Sequence, residues 1–388
     1  MQRSLAHIEK VEWIKDIPGA DKIELCGVLG WQCVIKKNEF KVGEKIVYVE
    51  VDSVMPEKPE FEFLRDRKFR VRTIKLRGEV SQGLVLPISS LGRDAIPEEW
   101  RIGEDVTKFL GITKYLSPSE REELNSNESK LRKSNNPIIR YMMRYKWFRT
   151  LMIPKKSKKW PEWVAKTDEE RIQNLPRVLE QFKDKEVYVT EKIDYQSVTF
   201  TGKLVPRFKG LLGKLVPIKK YQFVVCSRNM ATNDKNSLYW RIAKKYNIEK
   251  ILRENPTLTI QGEQGDTKVQ GNKYGIKEPT LWVFNIIDHE KNYHYNIDKI
   301  VEFCNKYKLQ HVPILYKGNK WEEIVNKREL YPKLSTLGST VQDIVEFSKG
   351  KSVLADIPRE GIVVRCIEDG KKILSFKAIN PDFLLKYD

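Results

Sequence analysis

One apolar run after another in the second half of this chain ends on, or begins just after, a charged residue. Val187-Tyr188-Val189 leads into Glu191-Lys192-Ile193-Asp194, and the run before Cys226 is followed by Ser227-Arg228. Gly262-Glu263 ends a third, Glu360 precedes Gly361-Ile362-Val363-Val364, and Lys377 follows Phe376. Runs this short, bounded by glycine or charge, predict strands. Lys192 alone reads most simply as a solvated surface lysine. In series with the others it becomes a candidate nucleophile.

Composition narrows the setting. The 388 residues are 40% hydrophobic, enough for two or three domains that each bury a core. No apolar run approaches the roughly 20 residues that span a bilayer, so no membrane role is expected. The start, Met1-Gln2-Arg3-Ser4, does not read as a signal peptide. Five scattered cysteines without a CxxC pair argue against disulfides and zinc, hence for a reducing, cytoplasmic setting. Four dispersed histidines do not suggest a metal cluster. The net charge of +18 favours a polyanionic partner, because each cation placed on a phosphate releases counterions.

Three segments follow. Residues 1–114 are rich in short strands, at Ile23–Val28, Gln32–Ile35, Lys45–Val51, Arg70–Leu76 and Gly83–Pro87, separated by glycine turns. That spacing predicts a small barrel of the OB type. Arg65, Arg67, Lys68, Arg70, Arg72, Lys75 and Arg77 would give it a basic face, with Phe61, Phe63 and Phe69 either stacking on bases or forming core. Residues 115–160 read as a basic linker with one helix. Between Ser129 and Pro161 there is no acidic residue, and Tyr141, Tyr145, Trp147, Phe148 and Trp160 either meet bases or dock neighbouring domains. Residues 161–388 alternate strands and helices. Thr167, with Glu170 three positions on, predicts a capped helix start. Ser237–Asn247 and Asn296–Tyr307 are further helices, and Lys203–Lys220 a hairpin excursion.

Each strand-end residue has a chemistry. Lys192 must lose a proton to attack, since a free lysine titrates near 10.4. The carboxylate of Asp194 would raise that value, so it suits positioning or a metal-linked role. Arg228 suits a ribose or α-phosphate contact, Glu263 lies between glycines that allow a ligand close approach, and Glu360 suits a divalent cation. Lys377 suits neutralising a phosphate in a transition state. Phe284, in Trp282-Val283-Phe284-Asn285, is either core or a platform for a base.

In this order the residues resemble the covalent nucleotidyltransferase superfamily of ATP-dependent RNA and DNA ligases and capping guanylyltransferases. The chain is most similar to RNA ligases that carry an OB domain first. Gly30-Trp31-Gln32, Lys41-Val42-Gly43-Glu44 and Lys75-Leu76-Arg77-Gly78 resemble that OB domain, and Thr167 to Asn174 resembles the segment upstream of the nucleophile. The resemblance implies an α+β protein, an OB-type β-barrel followed by an ATP-grasp-like nucleotidyltransferase domain of antiparallel sheets and flanking helices. It implies covalent AMP on Lys192 from ATP, with Mg2+ or Mn2+ as cofactor. RNA with 3′-hydroxyl and 5′-phosphate ends, nicked or broken, would be the substrate of a monomeric enzyme. Lys192, Asp194 and Lys377 would be catalytic, and Glu191, Arg171, Arg228, Glu263, Phe284 and Lys377 would contact nucleotide. Glu263 and Glu360 would hold metal.

Two departures stand out. Tyr195 occupies the position of the glycine in the usual Lys-x-Asp-Gly. Ser375 stands where relatives often carry a second lysine two residues before Lys377. A DNA ligase or guanylyltransferase would normally place its OB domain after the last motif, and this sequence runs only eleven residues past Lys377. The remaining alternative is a non-catalytic nucleic-acid binder, against which the intact charged residues argue.

Overall fold

The computed structural model describes residues 4–92, 95–116, 136–145, 148, 160–166, 168–175, 177–181, 185–207, 218–318 and 341–387. The N-terminal strands form the expected OB-fold. Lys45–Val49 pairs antiparallel with Ala6–Lys10 on one side and Leu84–Pro87 on the other. Ile23–Val28 likewise lies between Trp13–Asp16 and Trp31–Lys36. Alternation sends Ile46 and Tyr48 into one core cluster and Val47 and Val49 into another.

The aromatic question resolves by position. Phe61 and Phe69 are buried core, whereas Phe63 stands 62% exposed beside the exposed Arg65, Arg67 and Lys68. The strand expected from Arg70 begins only at Thr73, because Arg70 turns inward to Asp52 at 2.5 Å. Most of the basic linker lies outside the described residues, as does Ser117–Asn127. Its described part includes the helix Pro137–Met142, whose N-terminus is capped by Asn136 accepting from Ile138 N–H. Trp160 packs with Trp163 against Val224, Cys226 and Ala231, which is docking rather than base contact.

The C-terminal half has two antiparallel-rich sheets. One runs in the order Glu170–Arg171, Lys371–Ile379, Gly361–Glu368, Val187–Lys192, Ile314–Gly318. Helix Val341–Ser348 covers its apolar face with Val341, Ile344 and Phe347. The other runs Ala231–Thr232, Lys219–Cys226, Gln196–Pro206, Leu258–Gly265, Thr280–Asp288, Tyr293–His294, with Gln310–His311 also pairing to Thr280–Asp288. Helices Leu238–Lys245, Ile248–Glu254 and Ile297–Tyr307 cover it. In the described part of the Lys203–Lys220 excursion the two arms pair antiparallel, with Pro206 opposite Lys219, and residues 208–217 lie outside the described residues.

The helix expected to open at Thr167 does not form where it was read. Thr167 itself lies outside the described residues. Glu170–Arg171 pairs parallel with Phe376 and Lys377, followed by a 3-10 turn at Ile172–Asn174. The edge of strand Lys371–Ile379 supplies backbone partners that a local capping pattern cannot reveal.

This turn is also where the two halves meet. Gly30 N–H donates to Gln173 O at 2.9 Å. Trp31 Nε1 donates to Asn174 Oδ1, and Asn174 Nδ2 to Glu50 Oε1, both at 2.7 Å.

Candidate active site

Strand register assembles the site. Val187 and Val189 enter the core, so Thr190 and Lys192 on the opposite face line a cleft of about 650 Å³. Lys192 pairs with Gly361, which brings it beside Glu360. A β-carbon at Gly361 would lie 2.2 Å from the Ala378 carbonyl oxygen, so only glycine lets these strands approach here. Val363 pairs with Lys377, and Lys377 with Arg171. After Lys192 the chain crosses to the other sheet, where Ser197 pairs with Glu263. Register slips between Gln261 and Gly262, leaving Phe284 as the extra residue of a bulge. Bulges re-aim side chains, and this one sends the half-buried Phe284 ring to the cleft.

All nine predicted residues line this cleft: Arg171, Glu191, Lys192, Asp194, Arg228, Glu263, Phe284, Glu360 and Lys377. Lys192 Nζ donates to Glu360 Oε1 at 2.5 Å. Burial works to lower the lysine pKa, but the carboxylates of Glu360, Glu263 and Asp194 outweigh it and the net shift is upward. Burial raises Glu360, with Asp194 adding to the rise and Lys192 offsetting part of it. Burial also pushes Glu263 well above the ordinary glutamate value. Arg228 donates to Asp168 at 2.7 Å. Glu191 sits on the face opposite Lys192, and its carboxylate accepts from Val353 N–H at 2.8 Å.

The sequence reading missed several neighbours. The N-terminal half lends the cleft Asp52, Arg70, Lys114 and Tyr115. Arg171 bridges the halves, 3.7 Å from Asp52 and 5.5 Å over the Trp31 ring. Arg365 is buried, donates to Glu169 at 2.9 Å and to the Phe284 carbonyl at 2.5 Å, and stands 5.4 Å over the Phe284 ring. It therefore holds the bulge from two directions. Ser375, at the position of the second lysine, is 3.3 Å from Arg365 Nε. A charged residue within the apolar run Ile362–Cys366 was the available signal for Arg365.

Tyr195 is accommodated by turning into the floor. Its ring stacks on Trp282 with centroids 5.7 Å apart, and its hydroxyl donates to Asn272 Oδ1 at 3.0 Å. A β-carbon at Gly265 would lie 2.7 Å from that ring. Gly265→Ala is therefore expected to destabilise the protein by about 1–3 kcal/mol through overpacking. The same change in a Tyr195→Gly background should cost far less. Thermal unfolding of the pair checks this, and equal costs in both backgrounds would refute the contact.

The residues fit a divalent cation. Glu263 Oε2 and Glu360 Oε2 are sealed from solvent with no hydrogen-bond partner among the described residues. No group of three or more His, Cys, Asp or Glu is clustered for a metal among those residues. Two carboxylates completed by ligand oxygens is the pattern of Mg2+ or Mn2+ at phosphate sites.

An OB-fold joined to two sheets that meet at a half-buried lysine, beside carboxylates and phosphate-suited cations, is the arrangement of a nucleotidyltransferase. Comparison with known proteins narrows this. An OB-fold domain model matches residues 5–88, and the RNA ligase family model matches residues 185–379, half of the chain. The chain belongs to the RNA ligase family. It is similar in structure to the Naegleria gruberi RNA ligase with pyrophosphate, at 29% identity, 99% of each chain and TM-score 0.74. Mutants of that enzyme with ATP and manganese (28%, 98% of each chain, TM-score 0.72) and with AMP and manganese (28%, 99% of each chain, TM-score 0.72) are similarly close. No curated protein matches the chain in sequence.

Proposed function

We propose that this ATP-dependent RNA ligase joins an RNA 3′-hydroxyl to a 5′-phosphate through a lysyl-AMP intermediate on Lys192. The observation that carries the reading is the Lys192–Glu360 pair, half-buried in a cleft whose other walls supply a ring and cations. The neutral Lys192 amine attacks the α-phosphorus of ATP; the Nζ–P bond forms and pyrophosphate leaves. Glu360, hydrogen-bonded to Nζ and raised in pKa, is placed to receive the lysine proton. Glu263 and Glu360 would hold a divalent cation, which when bound would supply charge that offsets the phosphates and favours the neutral amine. Phe284, braced by Arg365, stacks on the adenine; Arg228 and Lys377 neutralise the α-phosphate. The RNA 5′-phosphate then displaces Lys192 from AMP, and the 3′-hydroxyl displaces AMP and seals the strand.

The proposal includes the division into residues 1–114, 115–160 and 161–388, a monomeric enzyme and a cytoplasmic location. Among the described residues no helix is long and apolar enough to cross a membrane.

Incubation with α-labelled ATP, or GTP in parallel, and a divalent metal tests the first step on a denaturing gel. A band with ATP supports the reading. A band with GTP alone moves it to capping, and no band from folded, AMP-free protein removes it.

The exposed Arg65, Arg67, Lys68, Lys75 and Arg77 of the OB-fold are the expected RNA face. Sealing should fall steeply with salt, by about ten-fold or more between 50 and 200 mM for three or more phosphate contacts. A flat salt profile would remove RNA binding from this face.

A further inference from the structure

The cleft contains a second half-buried lysine that the reaction above does not use. Lys273 is 19% exposed at its side chain, and its ammonium bonds the Asp194 carboxylate. It lies 5.0 Å from the ring centre of Phe383 and 4.9 Å from that of Tyr387, both on the last helix, Pro381–Tyr387. The residues on either side grip the same loop. Asn272 Oδ1 accepts from the Tyr195 hydroxyl, and Tyr274 Oη accepts from Asp194 N–H at 2.9 Å. Three consecutive residues thus hold Asp194-Tyr195, directly downstream of Lys192.

We propose that Lys273 is a positioning residue. It fixes the Asp194 carboxylate, and with it the loop after Lys192, in the orientation the bound nucleotide requires. The inference rests on the ligase reading above.

Charge explains why the loop needs holding. Asp194 shares the cleft with Glu263 and Glu360, and like charges this close repel in a partly desolvated site. Its own ammonium partner keeps it inside. The two aromatic faces hold that ammonium while leaving it free to donate. Tyr195 makes the arrangement necessary: a side chain where glycine is usual must be anchored, and segment 272–274 supplies both the acceptor for its hydroxyl and the cation for its neighbour.

The test combines Lys273→Met, Lys273→Arg, Asp194→Asn and the double variant Asp194→Asn/Lys273→Met. ATP affinity is read by titration, label transfer to Lys192 by gel, and folding by thermal unfolding. Lys273→Met should weaken ATP binding or slow label transfer by about ten-fold or more, because it removes the cation that holds the half-buried Asp194 carboxylate in place. Lys273→Arg should recover most of the loss. In the Asp194→Asn background the Met substitution should change ATP affinity by less than about two-fold, since coupled residues are not additive. Wild-type values in Lys273→Met, or losses that multiply in the double variant, would overturn the proposal. If Lys273→Met does not fold, the comparison of Asp194→Asn with the double variant decides alone. Wild-type protein that takes no label would instead sink the ligase reading, while the titration still reports on Lys273.

Discussion

On the proposed reading, Lys192→Ala should lose all transfer of AMP to the protein, a fall of at least about a thousand-fold, because the proposed nucleophile is gone. The fold survives the change. Removing the ammonium leaves Glu360 buried beside Glu263, but burial already holds both carboxyls above their ordinary range. They take up a proton rather than remain as unpaired charges. In the wild type the net upward shift at Lys192 makes the amine scarce at neutral pH, so labelling should rise with pH. Label transfer between pH 6 and 9, alongside unfolding of the variant, checks both statements. Residual labelling of Lys192→Ala at even a hundredth of the wild-type rate would assign the nucleophile elsewhere.

Glu263→Gln separates activity from stability in opposite directions. On the proposed reading, activity should fall by about a hundred-fold or more, since Glu263 would no longer supply a ligand and a charge to the cation. Stability should rise. A glutamate whose pKa is raised on folding contributes stability below its unfolded pKa and loses it as pH climbs through the folded value. Glutamine has no such loss, so its advantage should be small near pH 4.5 and grow toward neutral pH, reaching about 1–3 kcal/mol. Thermal unfolding at pH 5 and pH 8 measures the gap. A variant less stable than wild type at pH 8 would mean that Glu263 is satisfied in the free protein and is not waiting for a cation.

Most residues of the cleft were legible because a charge breaks or bounds an apolar run there, a signal visible in one dimension; Lys192 ends its strand and Glu360 precedes one, whereas Glu263 and Lys377 lie inside strands that run on past them. The strand Ile23–Val28 was legible as an apolar run between turns, with the bounds expected. What lay hidden depends on register and docking. Whether Phe284 was core or platform turned on a bulge that shifts pairing by one residue. Arg70 was expected on the outer basic face and instead turns to the cleft, because Asp52 waits there. The helix expected at Thr167 gave way to a parallel pairing with a strand two hundred residues downstream. Lys273 had no local signature at all; its meaning comes from Asp194 and the last helix.

The fit between Tyr195 and Gly265 has a historical consequence. A tyrosine ring and any side chain at position 265 compete for one space. An ancestor with glycine at 195 and a larger residue at 265 could reach the present pair through only one order of substitution, the small residue at 265 arriving before the ring. The reverse order would pass through a crowded intermediate. Once the ring is seated, position 265 is closed to change until 195 reverts. Descendants of this chain should therefore drift at the two positions together or not at all, and laboratory libraries that vary position 265 alone should return glycine.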